Sequence, residues 1–251
     1  MSQYLASQIG GYLPPFGHYE GQMVPEVKPM MRNKPWANDT KFDWEFIRKE
    51  WSKRAQGKVF VEASPPNIVR PDEIAQVFGE DSTGLVSVCN PLQFISSSMR
   101  RYNQPGANVK RIARNWVKKA NLVRDIRQRY PHFPFISYEA FVQNPTSINE
   151  AIHLEPRDVQ IEGKKGSNLN GIVSGYTRAI GFLKLPQIEI INSVLAEHQD
   201  LLGYFDYRLE SAVDIMKNAK ETNPLEFSKG FQDRKAWMAK HRKDQVLSAT
   251  Q

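Results

Sequence analysis

Glu62 is the carboxylate best placed to do chemistry. It closes the apolar run Lys58-Val59-Phe60-Val61-Glu62 and opens the turn Ala63-Ser64-Pro65-Pro66-Asn67. A carboxylate at such a turn can take a proton from a hydroxyl within hydrogen-bond reach, or it can simply be satisfied by the N–H groups of the turn. A second constellation opens at Asn90-Pro91, where Asn is a preferred helix N-cap and Pro a preferred first helical residue. Beyond it Gln93, Ser97 and Arg101 lie four apart and share a face with Asn90. An anion at the start of this helix gains from the dipole and the free N–H groups, with Ser97 Oγ and Arg100 or Arg101 as further donors. The plainer alternative makes Ser96-Ser97-Ser98 a small-residue packing face.

The elements that must position these groups are two short apolar runs, Val59-Phe60-Val61 and Leu85-Val86-Ser87-Val88. Each ends in a polar, Pro-containing turn and then a helical pattern. A strand is expected over Lys58–Glu62, and a third over His132–Val142, centred on Phe135-Ile136. Strand, turn and helix in tandem predict an α/β chain with a parallel sheet flanked by helices. In such sheets ligands bind beyond the carboxyl ends of the strands, here Glu62–Asn67 and Cys89–Pro91.

The motif Val61-Glu62-Ala63-Ser64-Pro65-Pro66-Asn67 and the later Asn90-Pro91, with Ser97 six residues after the proline, resemble the sulfotransferases that use 3′-phosphoadenosine 5′-phosphosulfate (PAPS). Ser137-Tyr138-Glu139-Ala140-Phe141 followed by Asn144-Pro145 is similar to a further signature of that family, and Leu201–Tyr207 to its last helix. The resemblance implies a three-layer fold like that of the P-loop nucleoside triphosphate hydrolases, spanning about Ser2–Tyr207. It implies Glu62 as base for the acceptor hydroxyl. It assigns Ser64, Asn90, Ser97, Arg100 and Arg101 to the cofactor and its 3′-phosphate, and His18 and Glu20 to the acceptor side. A surface loop with a stray His is the plainer reading of His18. The pattern departs from the family at Ala63, where Lys is usual, and at Cys89, where Arg is usual. A thiol cannot replace a guanidinium fork, and losing one charged donor costs about 1.5–3 kcal/mol of phosphate binding. In the family a strand and a phosphate-binding loop come before a helix like the one expected over Ser2–Gly11, so the match is expected to begin one element late. The expectation is a fragment or an impaired enzyme, with a reduced or rearranged sheet and marginal stability.

The 251 residues carry a net charge of +7 and 40% hydrophobic residues, enough for a proper core and favourable to anionic partners. A nucleic-acid role is disfavoured, because no motif supports it. The lone Cys89 rules out a disulfide framework, and the scattered His residues show no metal-ligand spacing. No apolar run is long enough for a membrane span and no signal peptide is evident, so a cytoplasmic location is expected. Tyr12–Asp39 reads as irregular, and Phe42–Ala55, Asn108–Tyr130 and Leu185–Phe205 as amphipathic helices. The Asn108–Tyr130 helix has a strongly basic face, either solvated or anion-binding. The Lys164-Lys165 segment is a phosphate-facing loop or an exposed linker. The chain therefore divides into a sulfotransferase-like domain, 1–207, and a basic helical extension, 208–251. The leading reading is sulfuryl transfer from PAPS to a hydroxyl of a glycan or small molecule. The alternative is a non-catalytic protein of the same fold whose basic surface recruits an anionic glycan or protein.

Overall fold

The computed structural model describes residues 1–17, 19–79, 83–101, 108–153 and 175–249, without the side chains of 101 and 241–249. The main elements are α1 (Ser2–Ile9), α2 (Lys28–Met31), α3 (Trp44–Ala55), α4 (Pro71–Phe78), β1 (Val86–Val88), α5 (Pro91–Arg101), α6 (Val109–Arg129), β2 (Phe135–Ser137), α7 (Tyr138–Gln143), α8 (Ser147–Ala151), α9 (Tyr176–Phe182), α10 (Leu185–Leu195), α11 (Gln199–Tyr204), α12 (Ala212–Thr222) and α13 (Pro224–Ala249). The fold is mostly helical, with a small two-stranded parallel sheet, and so has α/β character in the coarse sense. It divides into two compact units, 1–87 with 125–172, and 88–124 with 173–251.

In the first unit the core is built on α3. Trp44, Ile47 and Trp51 recur at helical spacing and meet Val24, Val27 and Met31. Asp43 caps α3 by accepting the Phe46 N–H at 2.9 Å, and Gln56 ends it in the left-handed conformation with φ 51°. A second cluster joins Tyr4 of α1, Ile136 of β2, Phe141 of α7 and Ile148 of α8. The Tyr12–Asp39 stretch is not wholly irregular, since it holds α2 and a 3₁₀ turn at Gly21–Met23.

The strand at Leu85–Val88 is present as β1, and the Val86 N–H donates to Pro134 O at 2.9 Å. The strand expected over His132–Val142 is confined to β2, because Ser137 caps a helix that starts at Tyr138. The strand expected over Lys58–Glu62 does not form. Only Phe60 pairs, in an isolated parallel bridge to Tyr12. Tyr12 N–H donates to Val59 O at 2.7 Å and Val61 N–H to Tyr12 O at 2.9 Å. The partner segment then runs into Pro14-Pro15, which have no N–H to continue a ladder.

Among its described residues the second unit holds helices and their connections, with Val88 of β1 as its strand residue. Leu92, Ile95 and Met99 of α5 are buried, as are Ala113, Trp116, Val117, Ala120 and Val123 of α6. α9 packs against α5, α12 and α13. Its crossing with α13 depends on two glycines: a Cβ on Gly181 would strike Phe227 O, and one on Gly230 would strike Arg178 O and approach Phe182 N to 2.9 Å. Residues 208–251 thus contribute α12 and α13 to this core. Gly230→Ala is expected to lower stability by about 2 kcal/mol, because the backbones must separate to admit the methyl. A urea midpoint equal to that of the parent would contradict the close crossing.

The Leu185–Phe205 stretch is a broken helix, α10 and α11 flanking a 3₁₀ turn at Ala196–His198. His198 leaves helical geometry at φ −135°, ψ 42°, with no Pro or Gly to mark the break. Among the described residues no single helix is long and apolar enough to cross a membrane.

Candidate functional site

The turn after Phe60 folds back on Glu62. The Glu62 Oε1 accepts the Ser64 N–H at 2.6 Å and Asn67 Nδ2–H at 3.1 Å, so half of the carboxylate is satisfied by its own turn. The other half is not. Oε2 is shielded from solvent and has no donor in hydrogen-bonding geometry, although the Ser64 hydroxyl and the Gly21 N–H lie close enough to the carboxyl to favour its charge; Asn67 Oδ1 is likewise shielded and without a partner. Glu62 is only half-buried as a residue, but its unpaired oxygen is fully enclosed, and that oxygen governs its chemistry. Burial pushes the carboxyl up to about 7; the Ser64 hydroxyl and the N–H groups of Ser64 and Gly21 oppose this, and the Glu20 charge adds to it.

Ser64 is buried, and its Oγ accepts the Gln22 N–H at 3.0 Å. Gln22 Nε2 in turn donates to Glu20 Oε2. Three residues singled out separately, Glu20, Glu62 and Ser64, therefore belong to one polar cluster in the first unit. Its wall is aromatic. Trp51 stacks on Phe60 with ring centroids 4.8 Å apart and donates from Nε1 to Gly21 O at 3.3 Å. Gly21 is required here, because a Cβ would occupy the space of Glu62 Oε2 and come within 2.8 Å of Trp51. His18 lies outside the described residues.

Arg70, which sequence reasoning passed over, organises the other side of this turn. It is buried, 2% exposed, with no carboxylate within ion-pair distance among the described residues. Its guanidinium donates to Pro35 O at 2.6 Å and Ala37 O at 2.5 Å, reaches Thr40 O at 3.5 Å, and lies 4.2 Å from the centre of the Phe42 ring. No local pattern announces such a residue, since its partners lie some thirty positions away.

An open cleft of about 410 Å³ lies at the C-terminal end of α3, lined by Tyr12, Lys53, Arg54 and Lys58 among others, and Glu62 does not line it. Two of its cations are matched by Glu26 and Glu50, at 2.5 Å each.

In the second unit Asn90 caps α5 as expected, its Oδ1 accepting the Leu92 N–H at 2.9 Å. The Cys89 carbonyl is pinned by Trp116 Nε1 at 2.9 Å. The cavity beside Asn90, Pro91 and Leu92 is about 20 Å³, room for one water. Ser97 is exposed on α5. Arg100 stands 3.6 Å from Asp233 and 5.6 Å from the centre of the Phe182 ring. Arg101 ends α5, but its side chain lies outside the described residues, as does all of Lys164-Lys165.

The basic face of α6 is partly committed. Arg124 pairs with Asp200 at 3.0 Å, Arg129 with Asp72 at 2.6 Å, and Lys119 and Arg127 lie over the Phe94 and Phe135 rings. Lys110, Arg114 and Lys118 are exposed. Among the described residues no group of three His, Cys, Asp or Glu is placed to hold a metal ion.

Compared with models of known families, with curated proteins and with solved structures, the chain matches none.

Proposed function

We propose that this chain is a sulfotransferase-type protein that moves a sulfuryl group from PAPS to the hydroxyl of a glycan or small molecule, with Glu62 as the base. The observation that carries the reading is the pair of enclosed, unpaired acceptors, Glu62 Oε2 and Asn67 Oδ1. Acceptors shut away from water without a donor are costly, and a hydroxyl admitted by movement of the Gly21 segment would supply the missing donor. A carboxyl near 7 is matched to taking a proton at neutral pH. The proton passes from the acceptor hydroxyl to Glu62 as the oxygen bonds to sulfur, and adenosine 3′,5′-bisphosphate leaves with the electron pair of the broken S–O bond. Support also comes from the resembling segments, two of which lie where strands run into helices, β1 into α5 and β2 into α7. In the proposed three-layer fold, β1 and β2 are neighbours in the parallel sheet, and Ser97, Arg100 and Arg101 serve the 3′-phosphate.

Thermal denaturation in the presence of adenosine 3′,5′-bisphosphate tests the cofactor assignment. At ten times its Kd the ligand adds about 1.4 kcal/mol of stability, a rise of roughly 3–5 °C for a chain of this size. Ser97→Ala is expected to weaken the effect severalfold. A melting temperature unmoved at millimolar ligand sinks the assignment.

A second reading is favoured by Lys110, Arg114 and Lys118, whose exposed cations recur on one side of α6. In that reading the chain recruits an anionic glycan or protein without catalysis. Retention on a sulfated polysaccharide that falls with salt, and is lost in the triple Glu variant at these positions, would support recruitment whether or not the bisphosphate binds.

A further inference from the structure

Within the second unit, two guanidinium groups converge on one carboxylate. Arg178 of α9 donates Nε–H to Asp233 Oδ2 at 2.7 Å and Nη2–H to Oδ1 at 3.1 Å, a full fork. Arg100 of α5 approaches the same Oδ2 from Nη1 at 3.6 Å, too far for a hydrogen bond. The two arginines and one aspartate leave one positive charge in excess. Glu226, an acid earlier on α13, is taken by Lys229 at 2.6 Å. One turn before Arg100, the Ser96 Oγ is buried with no hydrogen-bond partner. The cluster is not sealed: the side chains of Arg100, Arg178 and Asp233 are 33%, 42% and 30% exposed.

We infer that Arg100 and Arg178 form a subsite for a phosphate or sulfate group, and that Asp233 is an internal anion holding the subsite until such a group displaces it. A guanidinium fork accepts carboxylate, phosphate and sulfate in the same planar geometry. One carboxylate fills the Arg178 fork and leaves Arg100 without a hydrogen bond to it. A tetrahedral oxyanion has enough oxygens for both forks, and its greater charge offsets both cations. The same Asp233 therefore weakens oxyanion binding, because its charge must move aside. The inference shares Arg100 with the function proposed above but needs neither Glu62 nor transfer activity, so the two fail separately.

The test compares the full chain with Asp233→Asn, which keeps the shape and removes the charge. Inorganic phosphate, inorganic sulfate and adenosine 3′,5′-bisphosphate are titrated at low ionic strength, with melting temperature as the readout. Asp233→Asn is expected to bind the inorganic anions at least about fivefold more tightly than the parent, and adding Arg178→Ala is expected to abolish the gain. A bisphosphate preference over inorganic phosphate identifies a nucleotide as the source of the group; equal binding identifies a simple ester or free anion, and either supports the subsite. A folded Asp233→Asn with no gain, or a gain that survives Arg178→Ala, overturns it. Should Asp233→Asn not fold, the parent chain is titrated with phosphate while the arginine Nε–H resonances are followed. Saturable, concerted shifts at Arg100 and Arg178 uphold the subsite, and resonances that do not move refute it.

Discussion

Arg70→Ala is expected to remove about 3–5 kcal/mol of stability, more than the loss of any surface ion pair in this chain could. The guanidinium is the donor for Pro35 O and Ala37 O and reaches toward Thr40 O. Deleting it leaves these carbonyls without that donor, at about 1–3 kcal/mol for each one that water cannot reach, and removes the cation from the Phe42 face. Burial lowers the pKa of Arg70, while the Glu73 and Asp39 charges oppose this. Arg70→Lys is expected to recover less than half of the loss, since an ammonium cannot span carbonyls arranged for a fork. Urea denaturation supplies the number: the midpoint falls while the slope stays that of the parent. The segment 35–42 should also become the first site of proteolytic cleavage, because its anchor is gone. A loss below about 1 kcal/mol would mean that those carbonyls are already served by water.

The features legible in the sequence are those whose cause is local. Asn90 before Pro91 announces a capped helix start, and the cap is made. Ser137 opens α7 by accepting the Ala140 N–H at 3.1 Å, as a serine at a strand-to-helix turn should. The stripe of Ala113, Trp116, Val117, Ala120 and Val123 on α6 is buried as its spacing requires. Features whose cause lies elsewhere in the chain were hidden. Val59-Phe60-Val61 has the composition of a strand, but pairing is decided by its neighbour, and Pro14-Pro15 stop it after one bridge. Arg100 was readable as a cation on α5, whereas its carboxylate comes from α13. The Glu62 cluster lies between these cases. The turn that satisfies Oε1 is local and legible, and the enclosure of Oε2 depends on Gly21, which nothing near Glu62 reveals.

That enclosure sets a pH dependence. The Glu62 carboxyl, ordinarily near 4.5, is raised to about 7, so between these values the folded chain holds a proton that the unfolded chain has released. The folded state then binds more protons, and stability must fall as pH rises through this window. The contribution is fully present below about 4.5 and gone above about 7, a loss of about 3 kcal/mol at 1.36 kcal/mol per pH unit. Glu62→Gln carries no proton to lose, so its stability should stay level over the same range and exceed that of the parent at pH 8. Its amide oxygen can still accept the Ser64 and Asn67 donors, which keeps the turn intact. The same substitution removes the proposed base, and transfer to a hydroxyl acceptor should fall by about 10²–10⁴-fold. The parent's own rate should rise with pH through about 7 as the carboxylate forms, opposite in direction to its stability. A parent chain whose urea midpoint is flat from pH 5 to 8 would place the Glu62 carboxyl in water, and Glu62 would lose its standing as a base together with its burial.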